Sequence, residues 1–288
     1  QEAGFPAGAI NIVPGTGAEA GAALTAHPDI NHISFTGSVG VGTLVQQAAA
    51  MHHVPVTLEL GGKSPQIVFA DADLHRALPF LVNGGIQNAG QTCSCGARIL
   101  VQRSRMAEVL DRLSTSYAAL RVGPAIDDHD LGPVISARQR QLVTAMLDQG
   151  ADLTLAARGQ VVAGAPEGGF YVPPTLFADV PPDHPLAQHE IFGPAQVVIP
   201  FDDEDEATAI ANGTAYGLVA GVWTENGPRQ LRMARAIRAG QVFLNNYGAG
   251  GGVELPFGGS GQSGHGREKG FEALYGFSTV KTVAAHHG

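Results

Sequence analysis

Both cysteines of the 288-residue chain fall in one short stretch, Gln87-Asn88-Ala89-Gly90-Gln91-Thr92-Cys93-Ser94-Cys95-Gly96. Glycines and small polar residues around a thiol leave it reachable and let backbone amides come close. Covalent catalysis needs such a group, a weak nucleophile that can be both approached and activated. The competing reading is a buried, inert thiol that packs as a small hydrophobe. The stretch alone leaves both open.

The elements around it alternate. A short apolar strand is expected at 9–13, ended by the turn signal Pro14-Gly15-Thr16-Gly17, then an alanine-rich helix to Ala26. Strands are expected at 30–35 and 54–60, with a helix from Thr36-Gly37-Ser38 to about Ala50 between them. Strands separated by helices of about ten residues indicate βαβ units and a mostly parallel sheet. After Gly61-Gly62 come a strand at 66–69, a helix from 72 capped by Asp73, the cysteine stretch, a strand at 98–102 and a helix capped at Ser104. A loop at 122–133, a helix at 137–149 and a strand at 151–156 follow. From Phe170 the pattern is strand, turn, strand. An acidic helix start at 201–211, a strand at 219–223, a helix at 228–239 and a strand at 241–245 complete the alternation. A glycine-rich loop spans 248–266, and 277–283 reads as a final strand. The fold class is α/β with two sheets and a boundary near Gly61-Gly62.

Composition excludes several functions. Net charge is −9 without a Lys/Arg cluster, which argues against nucleic acid as a partner. No uninterrupted apolar run reaches the length of a membrane span, and no basic, then apolar, leader opens the chain. Two cysteines one residue apart make neither a disulfide framework nor a structural zinc site. His52-His53 and His286-His287 have no acidic or cysteine partner at metal spacing, so no metal is expected. A reducing, cytoplasmic setting fits. The chain opens at Gln1 in a turn, Gly4-Phe5-Pro6-Ala7-Gly8, and reads as if cut from something longer.

Several motifs then align together. Leu58-Glu59-Leu60-Gly61-Gly62-Lys63-Ser64-Pro65 resembles the glutamate motif of the aldehyde dehydrogenase superfamily, and Gly90-Gln91-Thr92-Cys93 resembles its cysteine motif, 34 residues later. Phe35-Thr36-Gly37-Ser38, Glu190-Ile191-Phe192-Gly193-Pro194, Leu255-Pro256-Phe257-Gly258-Gly259 and Ser263-Gly264-His265-Gly266-Arg267-Glu268 are similar to further family motifs, in family order. Any one of these is a weak signal; six in order with matching spacings are specific. The resemblance covers essentially the whole chain. It implies a partial Rossmann-like cofactor domain (1–61), a complete α/β catalytic domain (62–265), and a return segment with an oligomerisation strand (266–288). It also implies that about the first 200 residues of such a protein are absent, with an oxyanion-hole asparagine among them. This chain alone is then expected to be nearly inactive.

The implied chemistry is oxidation of an aldehyde to a carboxylic acid with NAD or NADP, in a homodimer or homotetramer. An aldehyde carbon has no hydride to release until it is tetrahedral. A thiolate that adds to it makes a thiohemiacetal, loss of hydride leaves a thioester, and water must hydrolyse that. Cys93 is the expected nucleophile and Glu59 the general base. Leu58 and Leu60 beside Glu59 should desolvate it and raise its pKa towards neutrality. With an ordinary pKa near 8.5, little of Cys93 is thiolate at pH 7 unless the site lowers that value. Cys95 is read as packing. Gly37, Ser38, Gly42, Leu60, Glu190 and Phe192 are the implied cofactor residues. Gly37 and Ser38 would let a pyrophosphate reach the amides of a helix N-terminus, although a plain strand-to-helix turn has the same spacing. Glu190 can accept from two ribose hydroxyls, or cap a helix. Phe257 is the implied substrate-tunnel aromatic, or a core residue. Two rivals stand beside this reading, a CoA-acylating relative and a non-catalytic folded module. Glu59 argues against the first, because CoA-dependent members generally lack that glutamate.

Overall fold

The computed structural model describes residues 2–248 and 252–288, so residues 249–251 of the expected glycine-rich loop lie outside them. Its strands are β1 (Ile33–Thr36), β2 (Val56–Glu59), β3 (Pro65–Val68), β4 (Arg98–Gln102), β5 (Arg121–Val122) and β6 (Thr154–Arg158), then β7 (Gln160–Val161), β8 (Thr175–Ala178), β9 (Ala195–Phe201), β10 (Val219–Trp223), β11 (Gln241–Leu244) and β12 (Gly264–His265). The α-helices are α1 (Ala22–Thr25), α2 (Val39–Ala50), α3 (Leu74–Ile86), α4 (Met106–Ala119), α5 (Ala137–Asp148), α6 (Pro185–Gln188), α7 (Glu204–Asn212), α8 (Gly227–Ala236) and α9 (Ala273–Gly276).

Two main sheets result. The smaller has the order β1-β2-β12, and the larger runs β11-β10-β3-β4-β9-β8-β6. In the larger sheet every pair is parallel except β6 with β8. Its inner strands are apolar without alternation because helices cover both faces; Ile67, Ile99, Leu100, Val197, Val198 and Val222 are all fully buried. The smaller sheet has a separate core of Ile33, Val45, Ala49, Val54, Leu58 and Leu60. Between the two sheets the chain passes through Leu60-Gly61-Gly62-Lys63-Ser64, which is buried throughout. β2 ends immediately before that passage and β3 begins immediately after it.

Capping sets where the helices start. Ser38 accepts from the Val41 N–H at α2, Asp73 from His75 and Arg76 at α3, and Asp203 from Glu206 at α7. Ser104 does not cap. A 3₁₀ turn, Arg103–Arg105, precedes α4, which opens at Met106 with no side-chain cap.

Other differences share one cause, the need of a strand for a partner. Residues 9–13 form no strand, and Ile10, Ile12 and Val13 are exposed. The strand expected at 151–156 pairs three residues later, as β6 against β8. Residues 277–283 have no regular structure in the single chain, with Val280 and Val283 exposed. Conversely, the loop at 248–266 contains β12, whose Gly264 and His265 pair antiparallel with Glu59 and Leu58. Separately, the helix expected at 18–26 begins as a π-helical turn, Gly17–Gly21, and becomes α-helical only at Ala22.

Arg98, at the start of β4, is 1% exposed and faces no carboxylate within salt-bridge reach among the described residues. Its guanidinium donates instead to the carbonyls of Ile210 and Ala211, in the last turn of α7, and to Lys63 O (2.7, 2.8 and 2.9 Å). A cation at a helix C-terminus meets the negative end of the dipole, so the charge is balanced by backbone alone. Arg98→Met should cost about 3 kcal/mol or more, because three buried carbonyls lose their donors. Urea unfolding of the variant beside the wild type measures this.

Candidate active site

Glu59 is the last residue of β2, in register with Thr36 of β1 on one side and Gly264 of β12 on the other. It is therefore central in its sheet and only 2% exposed. Both of its carboxylate oxygens are buried without a hydrogen-bond partner among the described residues. Burial, reinforced by the neighbouring Glu268 carboxylate and opposed by Arg267 and Lys269, raises its pKa to about 8. The direction is the one expected from Leu58 and Leu60, and Glu268 adds to it. Gly258 makes room for the group, since a Cβ there would lie 2.7 Å from Glu59 Oε1.

The Gly61-Gly62 passage holds the remaining parts together. The Gly62 N–H donates to Glu190 Oε1 at 3.0 Å. A Cβ on Gly61 would collide with Glu190 Oε2, and one on Gly62 would collide with the Cys93 carbonyl oxygen. One glycine thus presses against the Glu190 carboxylate and the other against the cysteine loop. Ser263 Oγ donates to Gly61 O (2.7 Å) and accepts from the Gly217 N–H (3.1 Å), clamping the passage to the larger sheet. The next residue, Lys63, is 2% exposed, and its Nζ has no hydrogen-bond partner among the described residues. Burial lowers its pKa to about 7, and the strongest opposition to that comes from Cys95, with Arg98 helping to lower it and Glu190 opposing.

Cys93 is half-buried in the turn that follows α3. Burial first, then the Glu190 and Glu59 carboxylates, push its thiol above the ordinary value, while hydrogen bonds from the backbone N–H groups of Ser94 and Cys93 pull the other way. The site by itself does not make a thiolate. Cys95 is buried, its Sγ donates to Gly85 O at 3.8 Å, and burial pushes its thiol up to about 12.

One cavity of about 720 Å³ joins Cys93 and Glu59 with Gly37, Ser38, Leu60, Glu190, Phe192 and Phe257. Gly42 does not line it. It packs inside α2 against Leu60, where a Cβ would meet Leu60 Cδ2 at 2.6 Å. Ser38 and Gly37 bring the N-terminus of α2 to the cavity wall. Glu190 is raised by burial and lowered by the Gly62 N–H and Lys63. Phe192 has a left-handed backbone (φ +53°) and is 38% exposed, so it offers a ring to the cavity instead of filling the core. Phe257 is 9% exposed and exchanges backbone hydrogen bonds with Glu268. The Lys269 ammonium lies over its ring, 5.3 Å from the centroid.

The wall also includes Gln91, Thr92, Ser94, Gln139, Glu268 and Lys269, none of which was assigned a role from the sequence. Gln139, on α5, donates to the Phe192 carbonyl at 2.8 Å. Gln91, Thr92 and Glu268 were visible only as members of motifs. Nothing local in the sequence marks Gln139.

The aldehyde dehydrogenase family profile matches residues 1–283. The chain belongs to that family. It is 43% identical to a betaine aldehyde dehydrogenase of Rhizobium leguminosarum bv. trifolii, over 98% of this chain and 58% of the relative. A solved chain described as a putative aldehyde dehydrogenase from Burkholderia cenocepacia is 64% identical with a TM-score of 0.97, over 100% of this chain and 61% of that one. An NAD+ complex of aldehyde dehydrogenase from Bacillus cereus is 42% identical with a TM-score of 0.92, over 98% and 57%. The chain thus spans a little under three-fifths of the curated relatives it matches.

The two glycines should differ in what they tolerate. Gly62→Ala should destabilise by about 1–3 kcal/mol, the range for overpacking, because its Cβ meets backbone. Gly61→Ala meets only the movable end of Glu190 and should cost less; paired urea titrations compare them. For Glu59, a carboxyl raised on folding gives stability that is complete below its unfolded pKa and is lost as pH rises through about 8. Glu59→Gln should therefore gain stability on the wild type between about pH 5 and 9, as thermal unfolding at both ends would show.

Proposed function

We propose that this chain carries the nucleophile and base of an NAD(P)+-dependent aldehyde dehydrogenase that oxidises an aldehyde to a carboxylic acid through a thioester on Cys93. The observation that carries the reading is the joining, in one cavity, of a thiol, a buried carboxylate with no partner, and a helix N-terminus near a second carboxylate. The wall fits a dinucleotide. Ser38 and Gly37 present the amides of α2 to a phosphate, and Glu190, held by the Gly62 N–H, keeps an oxygen for ribose hydroxyls. The glycine at 61 leaves the space that this carboxylate occupies.

Each residue has its own part in the cycle. Cys93 Sγ gives up its proton to a base and adds to the aldehyde carbon, forming the C–S bond of a thiohemiacetal. The Cys93 backbone N–H is the donor that this chain offers to the oxyanion. NAD(P)+, when bound, supplies the acceptor for the hydride. Glu59 as carboxylate then takes a proton from water, the hydroxyl adds to the acyl carbon, and the C–S bond breaks to return the thiol. A carboxyl with a pKa near 8 is a stronger base than an ordinary one, at the cost of being mostly protonated at pH 7.

In the same reading, residues 1–61 close the cofactor domain, 62–265 form the catalytic domain, and 266–288 contribute to a homo-oligomer. A free Cys93 thiol suits a reducing compartment such as the cytoplasm.

The test is aldehyde-dependent NAD(P)H formation by the protein that carries this chain, across betaine aldehyde and aliphatic and aromatic aldehydes. Cys93→Ala should abolish it. Glu59→Gln should slow thioester hydrolysis by about 10²–10⁴ and remove a rise in rate that levels off above about pH 8. No activity with any aldehyde would end the enzyme reading, and full turnover by Glu59→Gln would end the role of Glu59.

A further inference from the structure

The turn that leads into Cys93 is strained. Asn88, Ala89 and Gly90 are consecutive left-handed residues (φ 52°, 54° and 72°), and only the last is a glycine. An L-residue in this region costs about 1–2 kcal/mol, so the turn persists only where surrounding contacts hold it. Gln91 makes several of those contacts. Its Nε2 donates to Asn88 O (3.0 Å), and Asn88 Nδ2 donates back to Gln91 O (3.0 Å). Its Oε1 accepts from the Ile135 N–H (2.9 Å), just before α5. The turn is thereby tied to itself and to a separate element. Gly90 in turn lies against Gly193 O, so closely that a Cβ would overlap that carbonyl.

We propose that Gln91 is a positioning residue that holds the left-handed turn 88–90 against the start of α5 and so sets where the Cys93 sulfur stands. The proposal rests on Cys93 as nucleophile. Because α5 also carries Gln139, which binds the Phe192 carbonyl, Gln91 ties the nucleophile loop to the element that holds the Glu190–Phe192 loop. A glutamine suits the place because it must donate and accept at once. Methionine matches its length but does neither.

Iodoacetamide alkylation of Cys93 against pH, followed by peptide mapping, tests this without any cofactor. In Gln91→Met the sulfur should no longer hold one place against the Glu190 and Glu59 carboxylates, and the alkylation midpoint should shift by about half a pH unit or more, the scale on which a displaced neighbouring charge acts. Ala89→Gly removes strain without touching a Gln91 contact, so in that background Gln91→Met should shift the midpoint by less than half as much. The double variant also covers the case in which Gln91→Met alone does not fold, since its midpoint should then lie close to that of Ala89→Gly. A Gln91→Met profile that superimposes on the wild type would overturn the proposal, as would an equal shift in both backgrounds. If wild-type Cys93 is alkylated no faster than Cys95, the nucleophile reading fails instead, a different and distinguishable result.

Discussion

The site depends on how closely backbone can approach at Gly61 and Gly62. One face of this passage touches the Glu190 carboxylate and the other touches the Cys93 carbonyl, each at a distance that leaves no room for a methyl group. The same five-residue stretch, 60–64, links the two sheets. Strand geometry brings Glu59 to its end, hydrogen bonds from Ser263 and Arg98 hold its carbonyls, and the cavity opens beside it. A side chain at either glycine would push the Glu190 carboxylate or the Cys93 carbonyl away from the passage.

Electrostatics at the cavity runs against charge. Glu59, Glu190 and Cys93 are all raised, in each case with burial as the first cause, and Lys63 is lowered for the same reason. Burial thus moves each group towards its neutral form. Such a site keeps its thiol and its carboxyl protonated until a reaction demands otherwise, which restrains idle reactivity of the sulfur towards oxidants.

Much of this was legible in the sequence, for reasons that can be traced to particular residues. Short apolar-rich runs at 66–69, 98–102 and 219–223 signalled strands. Asp73 marked a helix start as its cap, and the acidic pair Asp202-Asp203 marked another through the helix dipole. The grouping of Cys93 with Glu59, Glu190, Phe192 and Phe257 was implied by motif order, not by any local property. What stayed hidden is non-local. Residues 9–13 and 277–283 have strand composition but pair with no strand among the described residues, while β12 is two residues that only a partner makes into a strand. Gln91 and Gln139 look like ordinary polar residues until folding brings Ile135 and the Phe192 carbonyl to them. Gly42 kept a motif position but serves to pack Leu60.

The pairing of β2 with β12 has a consequence for the order of folding. Glu59 and Gly264 are neighbours in a ladder but lie about two hundred residues apart along the chain, and contacts of such separation form late because the intervening loop must close first. Gly264 pairs with Glu59 and Gly258 lies against its carboxylate, so this returning segment supplies part of the burial that raises its pKa. The titration of Glu59 therefore reports whether residues 258–264 have closed onto β2.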